Sequence, residues 1–182
     1  SEFNLPELRR ADLTQAVLEL KALRIKDLAG FDWFEAPQAQ SLGASIELLF
    51  NLGAIECNDV AGELTTVGED MARLPVHPRL ARVLLEARRF DVVKEASLAV
   101  ALINEGELEE LDIHDQLGPR RQPQSVQKLT GQILSQSILK KGNRSLPEKI
   151  SLDGRNGEFT DDLAYCLLQG CPDRVAKKRA TP

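Results

Sequence analysis

Apolar residues recur along most of this chain with helical spacing. Leu13, Ala16, Val17, Leu20 and Leu23 follow Asp12 at i, i+3, i+4 and i+7 intervals, which predicts an amphipathic helix over about 12–24 with Asp12 as its cap. Leu42, Ile46, Leu49 and Phe50 repeat the pattern between Pro37, suited to a first helical position, and Gly53, suited to a C-terminal stop. A second helix is predicted over 37–52. Between the two, Phe31-Asp32-Trp33-Phe34 is too short for an element of its own and is expected to be a packed connector. Ala54-Ile55-Glu56-Cys57 and Glu63-Leu64-Thr65 flank the turn-forming stretch 58–62, which predicts a short β-hairpin. Thr66-Val67-Gly68-Glu69 then has capping-box spacing and opens a new helical turn. Helix, helix and small hairpin outline a winged-helix domain, assigned to residues 4–76.

From Pro78 onward the pattern is helical only, and residues 77–182 are assigned to a helical bundle. Leu80, Val83, Leu84 and Ala87 mark a helix ending near Arg88 and Arg89. Asp91 is expected to cap the next, whose apolar residues over 92–103 nearly surround it, so that it should be the central buried helix ending at Gly106. Residues 107–115 are acidic and expected to be exposed. A third helix begins near Pro123, with Val126, Leu129, Ile133, Leu134 and Ile138 inward, and stops at Gly142. A loop with Gly and Pro fills 142–158. A fourth helix is expected to be capped by Thr160, with Asp161 and Asp162 at its positive end and Leu163, Leu167 and Leu168 inward. The expected fold class is therefore mainly α: a winged helix with a small hairpin, then a bundle.

Charge refines this picture. The 182 residues carry a net −5, but residues 1–75 hold 6 Lys/Arg against 13 Asp/Glu, residues 76–117 hold 5 against 9, and residues 118–182 hold 12 against 6. An anionic partner should prefer the C-terminal third. No apolar run reaches the roughly 18–20 residues of a membrane span, and Ser1-Glu2-Phe3-Asn4 has no leader character, so the expectation is a cytoplasmic piece with no membrane partner. Cys57, Cys166 and Cys171 fit neither a disulfide framework nor a zinc site.

Enzymatic signatures are missing: there is no phosphate loop, no dinucleotide fingerprint, no HExxH and no GxSxG. His77 reads as a capping or surface residue ahead of Pro78, and His114 as a solvated one. Glu109-Glu110 and Asp161-Asp162 are adjacent rather than facing, unlike an acid/base couple. A DNA-reading winged helix needs cations on its recognition helix, yet residues 37–52 contain Glu47 and no Lys or Arg; Gln38, Gln40 and Asn51 are left without phosphate anchors.

The stretch Leu64-Thr65-Thr66-Val67-Gly68-Glu69-Asp70-Met71-Ala72-Arg73-Leu74-Pro75-Val76-His77-Pro78-Arg79-Leu80-Ala81-Arg82 closely resembles the signature joining the winged-helix and ratchet (HA2) domains of DEAH/RHA-family helicases. Pro6-Glu7-Leu8-Arg9-Arg10, Leu18-Glu19-Leu20-Lys21-Ala22-Leu23 and Ala44-Ser45-Ile46-Glu47-Leu48-Leu49-Phe50-Asn51-Leu52-Gly53-Ala54 look like that family's opening and first two winged-helix helices. Cys171-Pro172-Asp173-Arg174-Val175-Ala176-Lys177-Lys178-Arg179 is similar to a segment of its bacterial HrpB branch. The resemblance implies a C-terminal accessory part of a 3′ to 5′ ATP-dependent helicase. Its RecA-like motor domains, which bind ATP and magnesium, lie elsewhere in the polypeptide, so this part alone is expected to be no enzyme and to hold no cofactor. Its implied partners are those motor domains and single-stranded RNA or DNA. Arg120, Arg121, Lys140, Lys141, Asn143 and Arg144 are the candidate phosphate contacts, standing at helix ends in the basic third, with solvated loop charge as the competing reading. Glu7, Arg9 and Arg10 are candidates for docking the motor. The alternative function is a non-enzymatic protein-interaction scaffold or, behind it, a DNA-binding regulator.

Overall fold

The computed structural model describes residues 12–28, 30–106, 117, 122–140 and 160–173, with the side chains of residues 140, 160 and 161 left out. The chain divides into two compact units, Ser1–Arg73 and Leu74–Pro182. Among the described residues the structure is helical, and extended pairing is confined to one antiparallel bridge between Ile55 and Leu64.

In the first unit, α1 (Thr14–Ala22) packs on α2 (Ala39–Asn51), and α3 (Thr66–Met71) follows the bridge. Val17, Leu18, Ile46, Leu49, Leu52 and Met71 are buried. The N-cap of α1 is Leu13 rather than Asp12, which stands one residue earlier and accepts from the Thr14 N–H at 2.9 Å and from the Thr14 hydroxyl. Helix α2 starts later than expected: Gln38 is its N-cap, so Pro37 stands outside it. Gly53, at φ 71°, ends it as its residue type implies. The cap of α3 is Thr65 rather than Thr66, because it is the Thr65 hydroxyl that accepts from the Gly68 N–H at 3.0 Å.

The expected hairpin is corrected to the single bridge. Glu56 N–H still donates to Glu63 C=O at 3.0 Å, but the tip then folds on itself. Asp59 N–H donates to Cys57 C=O and Gly62 N–H to Asp59 C=O, while the Asp59 carboxylate takes the Ala61 N–H at 2.7 Å. The Val60 and Gly62 carbonyls are taken by the Lys21 ammonium at 2.7 and 2.6 Å. The 31–34 connector also departs from expectation. Trp33 is half-buried, but Phe31 and Phe34 face solvent.

In the second unit, α4 (Pro78–Phe90) packs on α5 (Val93–Glu105) and on α8 (Thr160–Gly170), and α6 (Gln124–Ser135) packs on α5. The short α7 (Ser137–Lys140) touches α4 and α6. His77 caps α4, its Nδ1 accepting from the Arg79 N–H at 3.3 Å, with Pro78 at the first helical position. Helix α5 is buried across 96–102, as its sequence implies, yet α4 shares the centre through Ala81, Val83, Leu84, Leu85, Ala87 and Phe90. Phe90 meets Tyr165 edge to face at 5.3 Å.

Three local expectations in this unit are corrected. Asp91 adopts a left-handed backbone (φ 61°, ψ 29°) and terminates α4 instead of capping α5, a conformation Asp tolerates better than most residues. The third helix breaks at extended Gln136 (φ −63°, ψ 122°), and the register beyond the break buries Leu139, leaving Leu134 and Ile138 half-buried. In α8, Thr160 is itself the first helical residue rather than its cap, Cys166 takes the inward position, and Leu168 is 48% exposed. Gly106, at φ 71°, ends α5 as expected. The 107–115 acidic stretch, His114 and the 142–158 loop lie outside the described residues.

Candidate functional site

Of the expected contacts, Arg120, Arg121, Lys141, Asn143 and Arg144 lie outside the described residues, as do Glu7, Arg9 and Arg10. Lys140 is described through its backbone alone, as the last residue of α7. The site is therefore built from the described residues.

The clearest constellation joins the two motifs singled out in the sequence. Arg79, one residue into α4, extends Nη1 to Asp173 Oδ1 at 2.5 Å and Nη2 to Asp173 Oδ2 at 2.7 Å, a bidentate fork. Its Nη1 also donates to Gly170 C=O at 3.4 Å. Helices α4 and α8 approach closely here. A Cβ on Gly170 would stand 2.5 Å from the Arg79 carbonyl oxygen and 2.6 Å from Val83 Cγ2, so only glycine fits. The start of α4 and the end of α8, which are 94 positions apart in sequence, are thus pinned together.

One turn on, Glu86 is 1% exposed and lies between two guanidinium groups: Arg82 Nη2 donates to Oε1 at 2.5 Å and Arg89 Nη1 to Oε2 at 2.8 Å. A buried carboxylate is tolerable only when paired in this way. Next to it, Cys166 is pushed up to about 12, mainly by burial and then by the Glu86 and Asp162 carboxylates, against the pull of Arg89. That thiol is inert as a nucleophile or ligand at neutral pH. The α4 arginines therefore serve the bundle's own acids. Sequence reasoning missed this network, although the i, i+4 and i, i+3 spacing of Arg82, Glu86 and Arg89 signals it.

In the first unit, Lys21, Arg24, Lys26 and Arg73 line an open cleft of about 720 Å³ together with Glu63 and Glu69. Three of its cations have partners already. Lys21, in the last turn of α1, donates to the Val60 and Gly62 carbonyls. Lys26 also pairs with Glu63 at 3.6 Å and Arg73 with Asp70 at 3.4 Å. Burial lowers the Lys21 pKa, and Cys57, Asp59 and Glu63 oppose that shift. Lys21, Lys26 and Arg73 are thus engaged by groups of the unit itself. Among the described residues, no group of three or more His, Cys, Asp or Glu side chains could hold a metal ion. No helix among them is long and apolar enough to cross a membrane.

The helicase associated domain (HA2), winged-helix family matches residues 45–76, which span the second half of α2, the bridge and α3. The ATP-dependent RNA helicase HrpA of Escherichia coli (strain K12) is 37% identical over 105 residues, covering 57% of this chain and 8% of that protein. The HrpA homolog of Haemophilus influenzae is 36% identical over 131 residues, covering 70% of this chain and 9% of its own length. Two solved structures of the Escherichia coli HrpB helicase superpose with TM-scores of 0.72 and 0.73 at 26% and 28% identity. They cover 99% and 97% of this chain, and in each case 20% of the solved one. The chain thus spans under a tenth of the HrpA proteins and a fifth of the HrpB chains it matches.

Proposed function

From a chain that is the helicase-associated HA2 region of the DEAH/RHA family, we propose that it works as the accessory part of a longer 3′ to 5′ ATP-dependent helicase, positioning single-stranded RNA or DNA against RecA-like motor domains. One observation carries this reading. The likeness to the HrpB helicase structures runs through both units, over 97–99% of the chain, rather than stopping at the winged helix. In this reading ATP and magnesium belong to the motor portion. The described residues do not fit them, having neither a phosphate loop nor a metal-holding cluster. The chain by itself hydrolyses nothing, and it works in the cytoplasm.

Charge supports the strand-positioning role and narrows its location. Phosphate contacts require cations not already spent on carboxylates. Arg79, Arg82 and Arg89 are spent, whereas residues 118–182 hold 12 Lys/Arg against 6 Asp/Glu. Arg120, Arg121, Lys140, Lys141, Asn143 and Arg144 are the proposed contacts, and Glu7, Arg9 and Arg10 the proposed motor-docking residues. A reader of DNA sequence is disfavoured, because α2 offers Glu47 and no cation.

The test is fluorescence anisotropy of labelled single-stranded RNA, and of DNA of equal length, titrated with the chain at low and near-physiological salt. Binding that weakens steeply with salt and is lost on reversing the charges of Lys140, Lys141 and Arg144 is expected. No binding at low salt, or binding that ignores the charge reversal, refutes a strand contact at these residues.

A further inference from the structure

Arg24 is the cation of the first-unit cleft that the reading above leaves without a task. Residues 11–75 hold four Lys/Arg against eleven Asp/Glu, and all four line this one cleft. In an acidic unit such a gathering concentrates positive potential where the surface otherwise has little.

Arg24 stands there on a fixed backbone. Helix α1 ends in a Schellman turn, with Arg24 N–H donating to Lys21 C=O at 2.9 Å and Ile25 N–H to Leu20 C=O at 3.0 Å. The turn holds Arg24 at φ 61°, a left-handed conformation in which glycine is usual and a residue with a Cβ is strained. Strain of this kind gathers where a side chain has a use. The Arg24 side chain is exposed and has no ion-pair partner among the described residues.

Its neighbours add charge that is only partly spent. Lys21 is buried at the cleft wall and gives two of its three ammonium N–H groups to the Val60 and Gly62 carbonyls, leaving one. Arg73 spends Nη1 on Asp70 at 3.4 Å, and the Lys26 and Glu63 side chains are both largely exposed, so a more strongly charged anion displaces either pair at little cost.

The lining also selects the anion. With Glu63 and Glu69 included, the charged side chains leave an excess of two positive charges, which suits a dianion. Ile25, Val60 and Leu64 supply an aliphatic wall, and no aromatic ring among the described residues lines the cleft, so a nucleobase has nothing to stack on. At about 720 Å³ the space takes a small molecule rather than a single ion. A phosphate monoester carries close to two negative charges at neutral pH, and its oxygens match the fork of a guanidinium.

We propose that this cleft is a binding site for a small aliphatic phosphate monoester, with Arg24 forked on the phosphoryl oxygens and Lys21 and Arg73 supporting the charge. The site uses none of the residues proposed for strand contact and does not rest on that reading.

Isothermal titration calorimetry of this chain at low salt tests it, with glycerol 3-phosphate as the monoester and dimethyl phosphate as a singly charged diester. Glycerol 3-phosphate should bind saturably, and the diester at least about tenfold more weakly. Arg24→Asn removes the guanidinium while suiting the left-handed backbone better, so it should weaken binding at least about tenfold without destabilising the first unit. Arg24→Lys, which keeps the charge but not the fork, should fall between the two. Lys128→Gln, which removes an exposed cation of α6, should change nothing and so controls for unspecific charge. No saturable binding, equal affinity for the diester, or full affinity in Arg24→Asn overturns the proposal. So does a 5′-phosphorylated RNA trinucleotide that binds this cleft more tightly than glycerol 3-phosphate, which would make it a strand contact.

Discussion

The fork between Arg79 and Asp173 makes a quantitative prediction about what holds α8 on the bundle. Charge centres about 4 Å apart interact by roughly 1 kcal/mol at the dielectric constant of water and roughly 4 kcal/mol at an effective value near 20. The Arg79 side chain is 15% exposed and that of Asp173 is 43% exposed, which places the pair towards the lower figure. Two parallel charge-assisted hydrogen bonds keep it above an ordinary surface bridge, so we expect a coupling of about 1–2 kcal/mol. Single substitutions overstate this, because Arg79 also donates to Gly170 C=O. A double-mutant cycle of wild type, Arg79→Met, Asp173→Asn and the double variant isolates it. The chain supplies its own reporters, since its one Trp is Trp33 in the first unit and its one Tyr is Tyr165 in α8. With fluorinated Trp and Tyr, urea titrations followed by fluorine NMR read the two units separately. The Tyr165 transition should carry the coupling and the Trp33 transition should not move. A coupling below about 0.3 kcal/mol, or one carried by Trp33, would show that the fork does not fasten α8.

Three further outcomes follow from groups already described. Lys21→Met leaves the Val60 and Gly62 carbonyls without their ammonium donor, so the Trp33 urea transition should lose about 2–3 kcal/mol, and a loss under about 0.5 kcal/mol would show that Lys21 does not hold the 58–62 turn. Cys166 is pushed up to about 12, whereas in the unfolded chain it ionises near the ordinary thiol value. Between those values the unfolded state has lost a proton that the folded state keeps. Its stabilising contribution is therefore full below the ordinary value and declines as pH rises towards about 12. Denaturation followed by circular dichroism should show that alkaline loss, and Cys166→Ala should reduce it. In the native chain iodoacetamide should modify exposed Cys57 well before Cys166, and equal rates would contradict the burial that raises the thiol.

How much of this was legible in the sequence depends on the range of the interaction responsible. Some stops and starts written in one or two residues are where their types imply, as at Gly53, Gly106 and the His77-Pro78 start of α4, while the starts read from Pro37, Thr66 and Thr160 miss by a residue or two. Larger errors fall where a distant group takes part. The expected hairpin is a single bridge, and its tip is held by Lys21, some forty positions away. The 31–34 connector is held by Trp33 but leaves its phenylalanines in solvent, which aromatic content alone does not reveal. Asp91 reads equally well as the end of one helix or the start of the next, and only its left-handed φ decides. The break at Gln136 and the inward turn of Cys166 follow from packing against neighbouring helices, which outweighs a leucine's preference for the interior.

The candidate site obeys the same rule, and this bears on function. A cation in the sequence counts towards a phosphate-binding surface only if the fold leaves it unspent. Arg79, Arg82 and Arg89 lie in or beside the motif that most resembles a helicase, yet they are committed to Asp173 and Glu86. Their pairing lets α4 sit at the centre of the bundle with three of its four arginines matched to carboxylates. The motif is thus diagnostic of the fold because its charges build the fold: they pin α4 to α8 and pay for a buried carboxylate. A strand passing this region would find those guanidinium groups already occupied. Under the proposed function, the grip on a strand would have to come from cations outside that network. The most recognisable residues of the chain thus define its architecture.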